Sequence, residues 1–226
     1  MIFFVLSGYL ITTLALREEA RRGTLSLKAF YVRRAFRIFP AYYAVLALYC
    51  VIIFALPLAS SAEKQEPFLA ALPYYLTYFN EYASEPVMER FGVHPAFFHS
   101  WSLGIEEKFY LLWPLLAFVL LRKYPNGRIV VPALLIVFEA LFSESLLALA
   151  LQLYKYVGIL VGCMLAVLME RPKSYKVLAL FASNRMQIKI VVVFLVTQVG
   201  LAHGASNLFG HIYPYVVALL IIGLVA

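Results

Sequence analysis

Charge is scarce in this sequence: only 14% of its 226 residues are Asp, Glu, Lys or Arg, and every acidic residue is a glutamate. Soluble domains carry about a quarter charged residues. Together with 64% hydrophobic content and a mean hydropathy of +0.86, this excludes a separate water-soluble domain and makes the chain an integral membrane protein. Cysteine is nearly absent as well. Cys50 and Cys163 each lie inside an apolar run, which rules out a disulfide framework or a metal-ligand spacing and reads as two free, buried thiols. The start, MIFFVLSGYLITTLAL, has no basic n-region and no A-x-A-like site, so it reads as a short first span and not a signal peptide. Asn207 lacks the Ser or Thr of a glycosylation acceptor, and no internal repeat or low-complexity linker is present.

What is present is a series of apolar runs separated by charged connections. A membrane span needs about 20 apolar residues. That rule gives Met1–Leu16, Ile38–Ala59, Ser102–Leu121, Ile129–Ser145, Ala148–Met169, Ile190–Ser206 and Ile212 to the end. The expected fold is therefore all-α, a polytopic transmembrane bundle of about seven spans. Phe68–Phe79 is apolar but short, and is expected to be a re-entrant or interfacial piece.

The 19 Lys and Arg against 12 Glu give a net charge of +7. They crowd three connections: Arg17 to Arg37, Arg122 to Arg128, and Arg171 to Lys189. Such clustering between apolar runs speaks for membrane orientation and against nucleic-acid binding. Basic connections stay cytoplasmic, and all three share that side only if Phe68–Phe79 does not cross. The acidic stretch 60–98 then lies outside, as does Met1, so a further helix entering from the cytoplasm is expected upstream.

Two polar constellations interrupt the apolar pattern. In HSWSLGIEEKFYLLWP, a helix starting near His99 puts His99, Ser102, Glu106, Tyr110 and Trp113 on one stripe, with Glu107 beside it and Lys108 pointing elsewhere. Pro114 is expected to kink that helix, because it cannot donate to the Tyr110 carbonyl. Ionisable groups are costly in a span. The stripe reads either as a polar cavity lining, with a histidine and a carboxylate able to share a proton, or as glutamates paired with Lys108 or Lys155. In FYVRRAFRIFP, Arg33, Arg34 and Arg37 sit at i, i+1 and i+4, so two share a helix face. They read as a positive-inside anchor or as guanidinium forks for the phosphates of a nucleotide-type donor or a lipid headgroup. His94, His203 and His211 show no ligand spacing.

Four blocks, FFVLSGYLIT (Phe3–Thr12), FYVRRAFRIFPAYY (Phe30–Tyr43), HSWSLGIEEKFYLLWPLL (His99–Leu116) and KYVGILVGCMLAVL (Lys155–Leu168), together resemble the acyltransferase 3 family. These are multi-span membrane enzymes, mostly bacterial, that acylate sugar hydroxyls of surface glycans, antibiotics or lipids. The resemblance covers nearly the whole chain and implies a single domain over residues 1–226. It implies an acyl-CoA donor, acetyl-CoA above all, its phosphates met by Arg33, Arg34 and Arg37. Lys155 falls where many members carry an arginine, and Val157 where they often carry aspartate. His99, Trp101, Ser102, Glu106, Glu107 and Tyr110 match the long motif and would line or support the reaction cavity, with no metal. Ser7 and Gly8 match a small-residue position that helix packing also explains.

Members normally have a preceding helix bearing an arginine and, eleven residues later, a histidine taken as the base. That helix would lie upstream of Met1, so the domain is expected to be incomplete, and its end looks clipped too. The implied function is transfer of an acetyl or other short acyl group to a carbohydrate or glycolipid hydroxyl, such as a surface polysaccharide or lipopolysaccharide, at the inner (plasma) membrane. The alternative is an inactive truncated member that binds acyl-CoA or serves a glycan assembly or export complex. A secondary transporter would be expected to show internal repeats.

Overall fold

The computed structural model describes residues 2–55, 62–145, 152–204 and 206–225, and every regular element among them is a helix. In chain order these are α1 (Ile2–Arg22), α2 (Leu27–Ala55), α3 (Ala62–Leu76), α4 (Ser84–Phe91), α5 (Trp101–Leu115), α6 (Gly127–Phe142), α7 (Val157–Met169), α8 (Pro172–Leu178), α9 (Asn184–Ala202) and α10 (Ser206–Val225). They form two units: Met1–Leu25 with Pro114–Ala226, and Ser26–Trp113.

In the first unit, α1 packs on α7 at backbone distance. A Cβ built on Gly8 would stand 2.1 Å from the Ile159 carbonyl oxygen, and one on Gly162 would stand 2.1 Å from that of Val5. Only glycine allows this approach, which is how helices associate where lipid removes the hydrophobic drive between them. Val5, Tyr9, Val161 and Leu165 then form one core with Tyr213, Val217 and Ile221 of α10. Cys163, fully buried, sets its thiol 3.5 Å from the Gly8 carbonyl. Helix α1 ends at Gly23, whose φ of 74° supplies the left-handed turn that follows a helix terminus.

The basic connections of this unit meet. Arg128, buried at the start of α6, makes a forked bond to Glu19 of α1 (2.6 and 2.8 Å) and donates to the Ala117 carbonyl at 2.7 Å. Arg17 pairs with Glu170 at 3.9 Å, Arg122 donates to the Gly23 carbonyl at 3.1 Å, and Arg171 donates to that of Pro125 at 2.8 Å. The connections after α1, α5 and α7 therefore gather at one end of the unit.

In the second unit, α2 has 29 residues, about 44 Å at 1.5 Å per residue. Its Tyr42, Leu46 and Ile53 pack on Phe68, Ala71 and Tyr75 of α3 and Val87 of α4. Phe36, Val45, Leu48 and Val51 of α2 stay exposed. Helix α3 has 15 residues, about 22 Å, which is short of a hydrocarbon core of about 30 Å.

Two helices, α2 and α9, are long and apolar enough to cross a membrane among the described residues. The seven runs read from sequence are not all spans of that quality. Helix α7 has only 13 residues, because Gln152 (φ 48°) and the 3₁₀ turn Leu153–Lys155 precede it. Helix α5 is diluted by its own charges; it runs through Pro114 and opens into a π-helical turn, Leu116–Leu120, just where the proline leaves the Tyr110 carbonyl without its donor. The parts of the expected spans at 1, 56–59, 148–151, 205 and 226 lie outside the described residues.

Candidate functional site

The second unit carries the candidate site. Helix α2 is fastened to α5 by Tyr31, whose hydroxyl donates to the Leu111 carbonyl at 2.7 Å. One turn on, Arg34 lays its guanidinium carbon 3.7 Å from the centre of the Tyr110 ring, a cation–π contact. Tyr110 is buried and donates its hydroxyl to Glu106 Oε2 at 3.1 Å, so the i, i+4 pairing expected from spacing is present. Glu106 is itself only 2% exposed.

Arg34, Glu107, Lys108 and Tyr110 line a cavity of about 420 Å³ together with Tyr78 and Phe79, which follow α3. Three of these lining residues hold a buried polar atom with no hydrogen-bond partner among the described residues: Arg34 Nε, Glu107 Oε1 and Tyr78 Oη. Buried polar groups are normally paired, and a group left without a partner loses its hydration uncompensated. Arg34 and Glu107, of opposite charge, also act on one another electrostatically. Tyr78 is pushed far above the usual phenol range, by burial first and then by the Glu107 carboxylate.

Lys108 does not pair with Glu106 or Glu107. Its ammonium lies 2.6 and 2.8 Å from the two oxygens of Glu81, and also donates to the Tyr78 and Gly104 carbonyls at 2.6 and 3.3 Å. Lys108 is thus taken by a glutamate 27 residues away in an acidic loop and not by its neighbours in the EEK triplet. Lys155 bonds Gln152 and lies in the first unit, whereas the arginine block lies in the second.

His99 is placed differently from its expected position on the helix. Phe97 adopts φ 69°, and a 3₁₀ turn, Phe98–Ser100, carries His99 ahead of α5, so the helical stripe begins at Ser102. His99 is exposed, with its ring edge-to-face on Phe98 at 3.9 Å. With Arg37 and Ser102 it lines a separate cavity of about 830 Å³. Trp101 is 36% exposed at the helix start. The arginines divide too: Arg33 and Arg37 are exposed, and Arg34 is half-buried against Tyr110. Three residues escape a reading by period and motif. Tyr78 and Glu81 sit in a loop whose charge looks solvated, and Glu139, buried in α6 near Tyr215, is a lone carboxylate within an apolar run.

Residues 1–226, the whole chain, match the acyltransferase domain family Acyl_transf_3. The chain belongs to the acyltransferase 3 family. O-acetyltransferase OatA of Staphylococcus aureus is 36% identical over 163 residues, 67% of this acyltransferase-family chain and 24% of that protein. Peptidoglycan O-acetyltransferase OatA of Listeria monocytogenes is 33% identical over 130 residues, 57% of the chain and 21% of that protein. An uncharacterized protein of Haemophilus influenzae is 31% identical over 144 residues, 64% of the chain and 58% of that protein. The chain therefore spans about a quarter of the length of the two O-acetyltransferases. No solved structure matches it.

Proposed function

We propose that this chain is the membrane-embedded part of an O-acyltransferase. It moves an acetyl or other short acyl group from acyl-CoA to a hydroxyl of a cell-surface carbohydrate or glycolipid, as a multi-pass protein of the inner (plasma) membrane. The observation that carries this reading is the 420 Å³ cavity lined by Arg34 and Glu107, whose Nε and Oε1 have no hydrogen-bond partner among the described residues, beside the Tyr110–Glu106 pair. A buried N–H donor and a proton acceptor are what ester formation from a thioester requires. The names of the staphylococcal and listerial relatives support acetyl as the group, and the listerial name supports peptidoglycan as a representative acceptor.

Placement supports a division of labour. Exposed Arg33 and Arg37 meet the phosphates of the donor as point charges and forks. Arg34 faces inward and acts at the acyl end. Glu107 takes the proton of the attacking hydroxyl, and Glu106 holds Tyr110, which in turn supports the Arg34 guanidinium. Transfer of labelled acetyl from acetyl-CoA to cell-wall glycan in membranes tests this. Glu107→Gln is expected to lower the rate by about 10²-fold or more, the usual worth of a general base. Wild-type rates from Glu107→Gln and Arg34→Ala at equal membrane abundance would sink the assignment.

A further inference from the structure

Tyr78 is held from several sides in the second unit. It has φ 59°, a left-handed backbone that side-chain-bearing residues adopt rarely and that, where it persists, is over-determined by its surroundings. The surroundings do this here from two sides. Lys108 binds the Tyr78 carbonyl and, through Glu81, the turn that follows. Asn80, 1% exposed, donates to the Tyr42 hydroxyl at 3.0 Å and to Ser100 Oγ at 2.8 Å. Gly104 makes room for the clamp: a Cβ there would come within 2.8 Å of Glu81 Oε2 and 2.9 Å of the Tyr78 carbonyl oxygen. The Tyr78 ring stacks on Tyr42 with centroids 4.2 Å apart. All this ordering ends at a buried hydroxyl that bonds nothing among the described residues, on a residue that lines the same cavity as Arg34 and Glu107.

We propose that Tyr78 donates a hydrogen bond to the carbonyl oxygen of an acyl thioester in this cavity, and that Lys108 is the positioning residue holding it there. The inference rests on the acyl-transfer reading above and adds a residue that neither period nor motif marks. Arg34 Nε–H only donates, and the Tyr78 hydroxyl donates to an oxygen that gains charge, so the two suit one acceptor. The hydroxyl oxygen of the sugar forms a C–O bond to the thioester carbon, and its proton passes to Glu107. The carbonyl π pair moves onto oxygen, where Tyr78 and Arg34 hold it. Collapse re-forms C=O and breaks C–S, and the CoA thiolate leaves with the proton returned from Glu107. No oxidant or further reactant is needed.

The test is a kinetic comparison, at equal membrane abundance, of the wild type with Tyr78→Phe, Lys108→Met and the double variant, using labelled acetyl-CoA. Tyr78→Phe keeps the stacked ring and removes only the hydroxyl. It is expected to lower kcat ten- to a hundredfold with the KM for acetyl-CoA within about twofold, somewhat less than the ~10²–10³ of an isolated oxyanion donor, since Arg34 remains. Lys108→Met is expected to show the same kcat-specific loss, and the double variant to be no slower than the worse single one. If Lys108→Met fails to accumulate, Glu81→Gln takes its place. Wild-type kcat in Tyr78→Phe overturns the role of Tyr78, and multiplying losses in the double variant overturn the positioning role of Lys108. If the wild type transfers no acetyl, the acyl-transfer reading falls and takes this inference with it.

Discussion

Replacing Glu19 by alanine should weaken the protein far more than its position near the end of α1 implies. Its partner Arg128 has a side chain only 7% exposed, and Glu19 is 20% exposed. Of the three hydrogen bonds seen at the Arg128 guanidinium, two go to Glu19 and one to the Ala117 carbonyl, and the Phe118 ring lies beneath it at 4.6 Å. Without the carboxylate, a full charge stays buried with one neutral acceptor. Breaking a buried pair from one side costs about 3–5 kcal/mol. Water reaches Glu19 in part, so the lower end, about 3 kcal/mol, is the expected cost. For a chain of this size about 1 kcal/mol moves Tm by 2–4 °C, which puts the shift at roughly 6–12 °C. Thermal melting in detergent, followed by loss of the monodisperse species, reads this directly. Glu19→Ala/Arg128→Leu removes both charges and should recover most of the loss. Arg22→Ala, which removes the exposed partner of a 3.8 Å pair with half-buried Glu18, should stay within about 1 kcal/mol of wild type. The reasoning fails if Glu19→Ala melts with the wild type, or if the double variant melts no higher than the single one.

Two other outcomes follow from packing. Gly162→Ala puts a methyl 2.1 Å from the Val5 carbonyl oxygen, so α1 and α7 must separate by more than an ångström. Overpacking of that kind costs about 1–3 kcal/mol, and the variant should melt lower and accumulate less; unchanged melting would show that the two helices are not in contact. Cys163 is completely buried and Cys50 only partly so. A maleimide should therefore modify Cys163 only after denaturation, and mass spectrometry showing native modification at Cys163 would contradict the α1–α7 interface.

Much of the helical pattern is legible in the sequence, because apolar runs long enough to be helices are bounded by charge and glycine. The Glu106–Tyr110 bond was likewise readable, since an i, i+4 relation is local geometry. The position of His99 was not: it depends on a left-handed Phe97 and a 3₁₀ turn, and no periodicity announces where a helix declines to begin. The partner of Lys108 was not, because Glu81 lies in another loop and only the folded unit brings them together. Arg128 and Glu19 were misjudged for a related reason. Counted as loop charges they only bias orientation, whereas 109 residues apart they form a buried pair. The cavity wall shows the same limit. The i, i+4 spacing of the arginine block already sets Arg33 and Arg37 on one face, but only the packing of α2 on α5 turns Arg34 inward and leaves the other two outside.

The glycine contact between α1 and α7 also has a bearing on biogenesis. Gly8 and Cys163 are 155 residues apart, so α1 leaves the ribosome long before the surface it is shaped to fit exists. At about 5–20 residues per second, nascent α1 waits on the order of 10–30 s with its small-residue notch facing lipid or the insertion machinery. Its Glu19 spends most of that interval without Arg128 as well. A ribosome stalled before α7 would therefore hold an α1 that any other notched helix, including that of a neighbouring nascent copy, is free to capture.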